Sequence, residues 1–416
     1  MTVPKVMLLV HGVSDLEHVG EFFLWTLCRH YPAGKLCRFS LTSGEVGSAS
    51  ASWRGIPLAV ARYSPGPQVY WLGRRFRKWM SLPAHQFARM ICARRLAESV
   101  ASFASAQKAE LIWAVLNDPQ VIYVVRRLAG LLHLPLVVTV WDPPERLAYE
   151  YNLDMFSRGW LLDEFATIMR TAVRCALASD GMQAEYKRRF GVESVVHIQG
   201  IDRRWRLPPA RGFNEDGEMI IGFAGAMYAN RELAALLSAL SSVGWKIGDR
   251  EVRVRLLGRS FSIQARGPMR IEYLGWRSVR ETLDSMAQVD LLYVPYWFDA
   301  DHALPARLCF PNKIPVCLAS GRPLFIHAPK DSSPARFIER YPAGLCCHSL
   351  QESDIVHTLE RFVTEPGLYQ AAALAGQEAL DKEFDLSIFL RRFAYLMGVD
   401  ESELLPIDAS DATQLR

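Results

Sequence analysis

Three cations and two glycines carry the first chemical signal in this chain. Gly225 follows the apolar run Met219–Ala224, and Arg231 comes within about two turns of it, where a helical stretch begins with Asn230 just before it. Arg259 directly follows Gly258, and Lys313, preceded by Asn312, opens another helical stretch. A diphosphate needs its charge held away from water, and helix N-termini with adjacent cations do this. Arg231 and Lys313 are therefore candidates to hold a phosphorylated ligand, with Arg259 as a third; the alternative is that they are solvated surface cations. Gly12, in the turn after the first apolar run, Val6–Val10, is a further candidate for substrate contact. Asp142 stands at the carboxyl end of the run Leu136–Trp141, either as a base or as the residue that forms the turn before Pro143-Pro144, with Glu145 and Glu150 nearby. Asp299-Ala300-Asp301 imitates a metal-binding Asp-x-Asp, but a solvated loop is the preferred reading and no metal is expected.

Short apolar runs closed by polar or Gly/Pro turns would position these residues. Strands are predicted at Lys5–Val10, Glu110–Val115, Leu136–Trp141 and Ser194–Ile198, with a helix over Leu161–Ala178. Pro208-Pro209, Gly212, Asn214 and Gly217 read as a linker at 206–218. A second series follows. Strands are predicted at Met219–Ala224, Val252–Leu257, Ile271–Tyr273, Leu291–Val294 and Pro323–Ile326, and helices at Arg231–Leu240, Val279–Ala287 and Asn312–Ala319. Alternating strands and helices imply parallel sheets covered on both faces. The expected fold is α/β, with two Rossmann-like, doubly wound domains at 1–205 and 219–385 facing a central cleft, where ligands bind at the carboxyl ends of the strands. A C-terminal helix at 386–400 returns toward the first domain, and 401–416 reads as a disordered tail.

The bulk numbers agree with two domains. The chain has 416 residues, half of them hydrophobic and 22% charged. The net charge of +4 is too small to imply nucleic acid by itself. Eight scattered cysteines include no C-x-x-C pair and no zinc spacing, which fits reduced thiols in a cytoplasmic protein. The N-terminus does not read as a signal peptide, and no run reaches the ~18 apolar residues that span a bilayer.

Three segments resemble the donor domain of the family 4 glycosyltransferases: IIGFAGAMYANRELAALLSAL at 220–240, IEYLGWRSVRETLDSMAQVDLLYVPY at 271–296 and FPNKIPVCLASGRPLFIHAPKDSSPARFIERYPAGLCC at 310–347. The family's Pro-Ser-Lys stands here as Pro311-Asn312-Lys313, and its Ala-x-Gly-x-Pro as Ala319-Ser320-Gly321-Arg322-Pro323. LASDGMQAEYKRRFG at 177–191 and HIQGID at 197–202 extend the resemblance more weakly into the first half. The resemblance implies the GT-B architecture and transfer of a sugar from a nucleotide diphosphate donor with retention of configuration. No dedicated enzyme nucleophile and no metal are implied; the leaving phosphate oxygen can take the acceptor proton. Arg231 falls where the family places a diphosphate-binding lysine. Trp276 falls in the loop that lines the nucleobase pocket, though an ordinary half-buried Trp is as good a reading. Asp299, His302 and Arg307 belong to the loop expected to border the sugar pocket.

The chain departs from the family at marked places. Two glutamates eight residues apart are replaced by Leu308 and Val316, although Arg307 matches a branch that lacks the first of them. The usual His-Asp pair stands as Trp141-Asp142. Lost activity is therefore a rival reading, with the chain acting as a scaffold or partner, and a sugar-nucleotide epimerase is a weaker third. On the acceptor side, 68–95 holds Arg74, Arg75, Arg77, Lys78, Arg89, Arg94 and Arg95 among Trp71, Phe76, Trp79, Met80 and Phe87, without one acidic residue. This pattern suits contact with anionic lipid at the inner face of a membrane, and so a lipid-linked acceptor. A basic face around a phosphorylated acceptor and a solvated helix remain alternatives. The sequence gives no sign of oligomeric state.

Overall fold

The structure is a computed structural model that describes residues 3–12, 19–44, 53, 55–63, 82–83, 85–214, 217–259, 261, 263 and 269–406. The chain divides into two compact units. One comprises described residues of 3–197 together with 390–406, the other described residues of 198–389.

In the first unit the apolar runs are parallel strands: β1 (Val6–His11), β2 (Leu36–Thr42), β3 (Leu58–Arg62), β4 (Leu111–Val115), β5 (Leu136–Val140), β6 (Arg174–Leu177) and β7 (Ser194–Val196). They pair in the order β3-β2-β1-β4-β5-β6-β7. Every residue of β4 and β5 is buried, as strands covered on both faces require. Covering helices include Val19–Cys28, Pro119–Leu132 and Met155–Thr171. Asp118 and Asp154 cap the latter two by accepting backbone N–H groups.

The first unit corrects several expectations. The helix expected over Leu161–Ala178 runs from Met155 to Thr171, and the chain then turns extended at Ala172 to enter β6. Cys175, Ala176 and Leu177 are buried between β5 and β7, a tertiary contact that overrides their helical spacing. β2 went unread because Arg38 interrupts its apolar run. The guanidinium is buried, and it donates to both carboxylate oxygens of Glu21 at 2.8 and 2.7 Å. Residues 401–406, expected in a disordered tail, are held: Leu405 N donates to His30 O, and Leu404 is buried. Residues 407–416 lie outside the described residues.

The second unit repeats the architecture with β8 (Glu218–Ala224), β9 (Lys246–Ile247), β10 (Arg250–Leu257), β11 (Ile271–Gly275), β12 (Leu291–Pro295), β13 (Leu324–His327) and β14 (Gly344–Cys347). The order is β11-β10-β8-β12-β13-β14, all parallel, with the short β9 antiparallel to β10. Helices Asn230–Ser242, Val279–Met286 and Lys313–Ala319 match the expected stretches to within a residue or two at most ends. β14 was not among the expected strands. The segment read as a linker is bonded along this unit: Leu207 N donates to Ala319 O, Ala210 N to Gly321 O and Asn214 N to Asp290 Oδ1. Arg206 fixes its start through Asp381 and Asp385, at 2.6 and 2.7 Å.

Candidate functional site

The carboxyl ends of β8, β10 and β11 meet in a row of three glycines. Gly225 N donates to Leu257 O at 2.9 Å, and Gly258 N donates to Gly275 O at 3.0 Å. Gly225 has φ 108, a conformation that glycine adopts at little cost. A Cβ on Gly258 would lie 2.4 Å from Gly225 O, so only glycine lets these two turns approach. Each sequence-predicted cation or aromatic beside them follows a glycine. Arg259 and Trp276 come together, with the guanidinium 5.9 Å from the indole centroid, and Trp276 is 44% exposed. Tyr273 fastens this corner by donating its hydroxyl to Gly258 O and Arg259 O.

Lys313 opens the helix Lys313–Ala319, and Asn312 precedes it without a side-chain capping bond. Its Nζ does not reach into solvent. It lies 3.9 Å from the Phe223 ring centroid and 4.8 Å from that of Tyr228, and a Cβ on Gly225 would be 4.0 Å from it. The ring faces attract the cation, but Nζ is buried without a hydrogen-bond partner. Burial pushes its ammonium down from 10.5 to about 7. A buried charge that nothing accepts is costly, and an anion placed beside it would remove that cost.

The loop after β12 is pinned to the turn that carries Gly225. Glu232, buried within helix Asn230–Ser242, accepts from Phe298 N at 2.9 Å, and burial raises its carboxyl above the usual range. Trp297 Nε1 donates to Tyr228 O at 3.1 Å, and the Trp297 indole stacks on His302 at 5.0 Å. Asp299 caps the short turn Ala300–His302 and pairs with His302 Nδ1 at 2.7 Å, so its carboxylate serves the loop itself. Arg307 is exposed, 3.8 Å from Asp331. Leu308 is buried. Among the described residues, no three His, Cys, Asp or Glu side chains converge as a metal site would need.

Asn230 and Arg231 are exposed at the first turn of their helix. They line a cavity of about 610 Å³ with Ser238, Ser241, Met269 and Glu352. Lys313, Gly225 and Trp276 are not part of that lining, so the cavity does not join Arg231 to Lys313. Phe223, Tyr228, Glu232 and Trp297 were missed in the sequence. The first two read as core and turn, and only the fold brings their rings to Lys313.

In the first unit, Gly12 follows β1 with φ 111, and its carbonyl accepts from Arg38 Nη2 at 3.0 Å. Asp142 does not cap the helix Pro144–Glu150, whose N-cap is Pro143; it accepts from Arg146 Nη1 at 2.6 Å. Glu150 pairs with the same arginine and Glu145 with Arg189. Trp141 lies against helix Val19–Cys28: a Cβ on Gly20 would come within 2.9 Å of its ring, and Phe23 meets it edge-on at 5.6 Å. A half-buried indole therefore packs against that helix at the position before Asp142. Of the basic segment 68–95, residues 68–81 and 84 lie outside the described residues. Phe87, Met90, Ile91, Arg94 and Arg95 are exposed at successive helical spacings. Arg89 stacks over Trp160 at 5.1 Å and pairs with Glu164. Among the described residues, no helix is long and apolar enough to cross a membrane.

No protein-family model matches the chain, and no curated relative matches it. Solved structures do. HepE of Anabaena in complex with UDP-glucose superposes with a TM-score of 0.63 at 14% identity, over 95% of this chain and 100% of that one. Sucrose-phosphate synthase from Thermosynechococcus elongatus gives 0.65 at 13% identity, over 94% and 98%. WaaG, a glycosyltransferase involved in lipopolysaccharide biosynthesis, gives 0.55 at 13% identity, over 94% and 100%. With two Rossmann-like parallel sheets in one chain and such neighbours along nearly its whole length, the protein has the GT-B fold.

Proposed function

We propose that this chain is a retaining glycosyltransferase of the family 4 type, in the Pro-Ser-Lys branch. It would move a hexosyl or amino-sugar group from a nucleotide diphosphate donor to an acceptor in bacterial polysaccharide or glycoconjugate assembly. The observation that carries the reading is the Lys313 ammonium, buried beside Gly225 with aromatic faces around it and no acceptor. A donor diphosphate supplies the missing anion. Arg259 adds positive charge at the end of β10 and Arg231 at the start of helix Asn230–Ser242, and Trp276 lies beside the base. The neighbours support the donor class, since HepE was solved with UDP-glucose.

In this reading the second domain, 219–385, binds the donor and the first, 1–205, the acceptor. As the bond from sugar to phosphate breaks, Lys313 stabilises the departing diphosphate, an effect of about 2–4 kcal/mol for one such donor. The phosphate oxygen takes the acceptor proton, Asp142 orients the acceptor, and no metal or other cofactor takes part. The exposed Phe87, Met90 and Ile91, followed by Arg94 and Arg95, support a peripheral location on anionic lipid at the cytoplasmic face, where a lipid-linked acceptor would lie.

The test is a melting-temperature screen against UDP, GDP, dTDP and their sugars, then release of the nucleotide on adding acceptor, with and without EDTA. Arg231→Ala and Lys313→Ala should abolish turnover and leave the fold intact; transfer at the wild-type rate by both would remove the site. A second reading, a catalytically impaired scaffold, is favoured by Leu308 in place of a carboxylate, and it predicts no thermal response to any nucleotide.

A further inference from the structure

The first sheet reverses its order of build between β1 and β4, so the crevice beyond the carboxyl ends of those two strands is its topological switch point. Ligands of open parallel sheets bind at such points. His11 is the last residue of β1, and Asn117 and Asp118 follow β4. Asn117 clamps the His11 main chain reciprocally: His11 N donates to Asn117 Oδ1, and Asn117 Nδ2 to His11 O, both at 3.4 Å. Asp118 is wholly buried. Its Oδ1 accepts from Gln120 N at 2.7 Å, and its Oδ2 accepts the hydroxyls of Tyr63, at 2.8 Å, and Tyr151. Burial first, and then the Asp118 charge, pushes both phenols up, so they stay protonated donors.

The remaining neighbour of this carboxylate is the imidazole. His11 Nε2 lies 3.8 Å from Asp118 Oδ2, buried and without a hydrogen-bond partner, while the side chain as a whole is 25% exposed. Tyr63 packs edge-on to the ring at 5.9 Å. Among the described residues no Arg or Lys pairs with Asp118. Arg38 is nearby but committed to Glu21 and to the carbonyl of Gly12. A fully buried carboxylate that already accepts two phenols and an amide thus has the Nε2 edge of the ring turned toward it, which orients the imidazole while part of the side chain stays exposed.

We propose that this crevice binds the acceptor of the transfer reaction, with the His11 ring hydrogen-bonded to a hydroxyl of a neutral polyhydroxylated group and Asp118 positioning the ring. The inference rests on the glycosyltransferase reading for the word acceptor, and it adds a site that the family resemblance does not mark. His11 is the contact residue; Asp118 is a positioning residue that acts through it.

The experiment measures UDP release from UDP-glucose, or the corresponding release from whichever sugar nucleotide stabilises the protein, with water alone and with a panel of methyl glycosides. Wild type, His11→Gln and Asp118→Asn are compared as the ratio of glycoside-dependent to water-dependent release. Partial unfolding or weaker donor binding does not move that ratio. His11→Gln should lower it by about tenfold or more, the loss expected for one hydrogen bond made to a substrate in a buried site. Asp118→Asn should raise the glycoside KM more than it lowers kcat. An unchanged ratio in His11→Gln, with wild type responding to a glycoside, overturns this inference and leaves the proposed function standing. No release from any sugar nucleotide with any glycoside overturns both.

Discussion

If a diphosphate binds against Lys313 as proposed, binding is a proton-linked event, and the size of the linkage follows from the surroundings of the ammonium. With its ammonium at about 7 in the free protein, roughly nine-tenths of the chains carry the proton at pH 6 and about one-tenth at pH 8. A diphosphate bound against Nζ holds the proton on. Binding at pH 8 should then take up about 0.9 proton per chain, while at pH 6 the lysine's share is only about 0.1. Phosphate's own second ionisation, near 6, is complete by pH 8 and adds nothing there. Above pH 7 the affinity should fall about tenfold per pH unit, equivalent to ~1.4 kcal/mol. Titration calorimetry with UDP in buffers of different ionisation enthalpy reads the uptake directly, and GDP or dTDP replaces UDP if either binds more tightly. Lys313→Arg should bind without pH dependence in this range, because a guanidinium does not titrate there. Uptake below about 0.2 proton at pH 8, or equal uptake by Lys313→Arg, would refute the assignment of the anion to this ammonium.

The same lysine should oppose folding. Between about 7 and 10.5 the unfolded chain binds more protons than the folded one, so stability should rise with pH through that window. Lys313→Met should abolish that rise and stabilise the protein at neutral pH by ~1–3 kcal/mol in urea melts. Asp385→Ala leaves the buried Arg206 with only the exposed Asp381 as a carboxylate partner and should cost about 1–3 kcal/mol; a loss under about 0.5 kcal/mol would mean the Asp385 pair is not closed in solution. Gly258→Ala forces a Cβ against Gly225 O and should lower stability by ~1–3 kcal/mol while eliminating the thermal response to nucleotides; a response of wild-type size would show that these turns do not shape the site. Replacing Phe87, Met90 and Ile91 with Ser should abolish flotation with phosphatidylglycerol vesicles at low salt; undiminished flotation of the triple variant would clear this helix face of any part in lipid contact.

Much of the fold was legible because parallel strands buried on both faces leave an unbroken apolar run. Val6–Val10, Leu136–Trp141 and Leu291–Val294 each correspond to an observed strand, give or take a residue. Where the run is interrupted, the reading failed. Arg38 in the middle of β2 hid that strand, since the carboxylate that answers it, Glu21, comes from a separate helix. Cys175–Leu177 kept helical spacing into what is β6, because the strands that pair with it lie elsewhere in the chain.

The candidate site divides the same way. Residue types and order alone marked the glycine turns at Gly225 and Gly258 and the cations Arg231, Arg259 and Lys313, because backbone conformation and charge are local properties. Whether a cation is solvated or buried is not local. Folding placed Lys313 between Phe223 and Tyr228, gave Asp142 to Arg146, packed Trp141 against Gly20 and set His11 beside Asp118. Desolvation and partner choice, which decide how each of these groups behaves, depend on atoms that only the tertiary structure brings within a few ångströms.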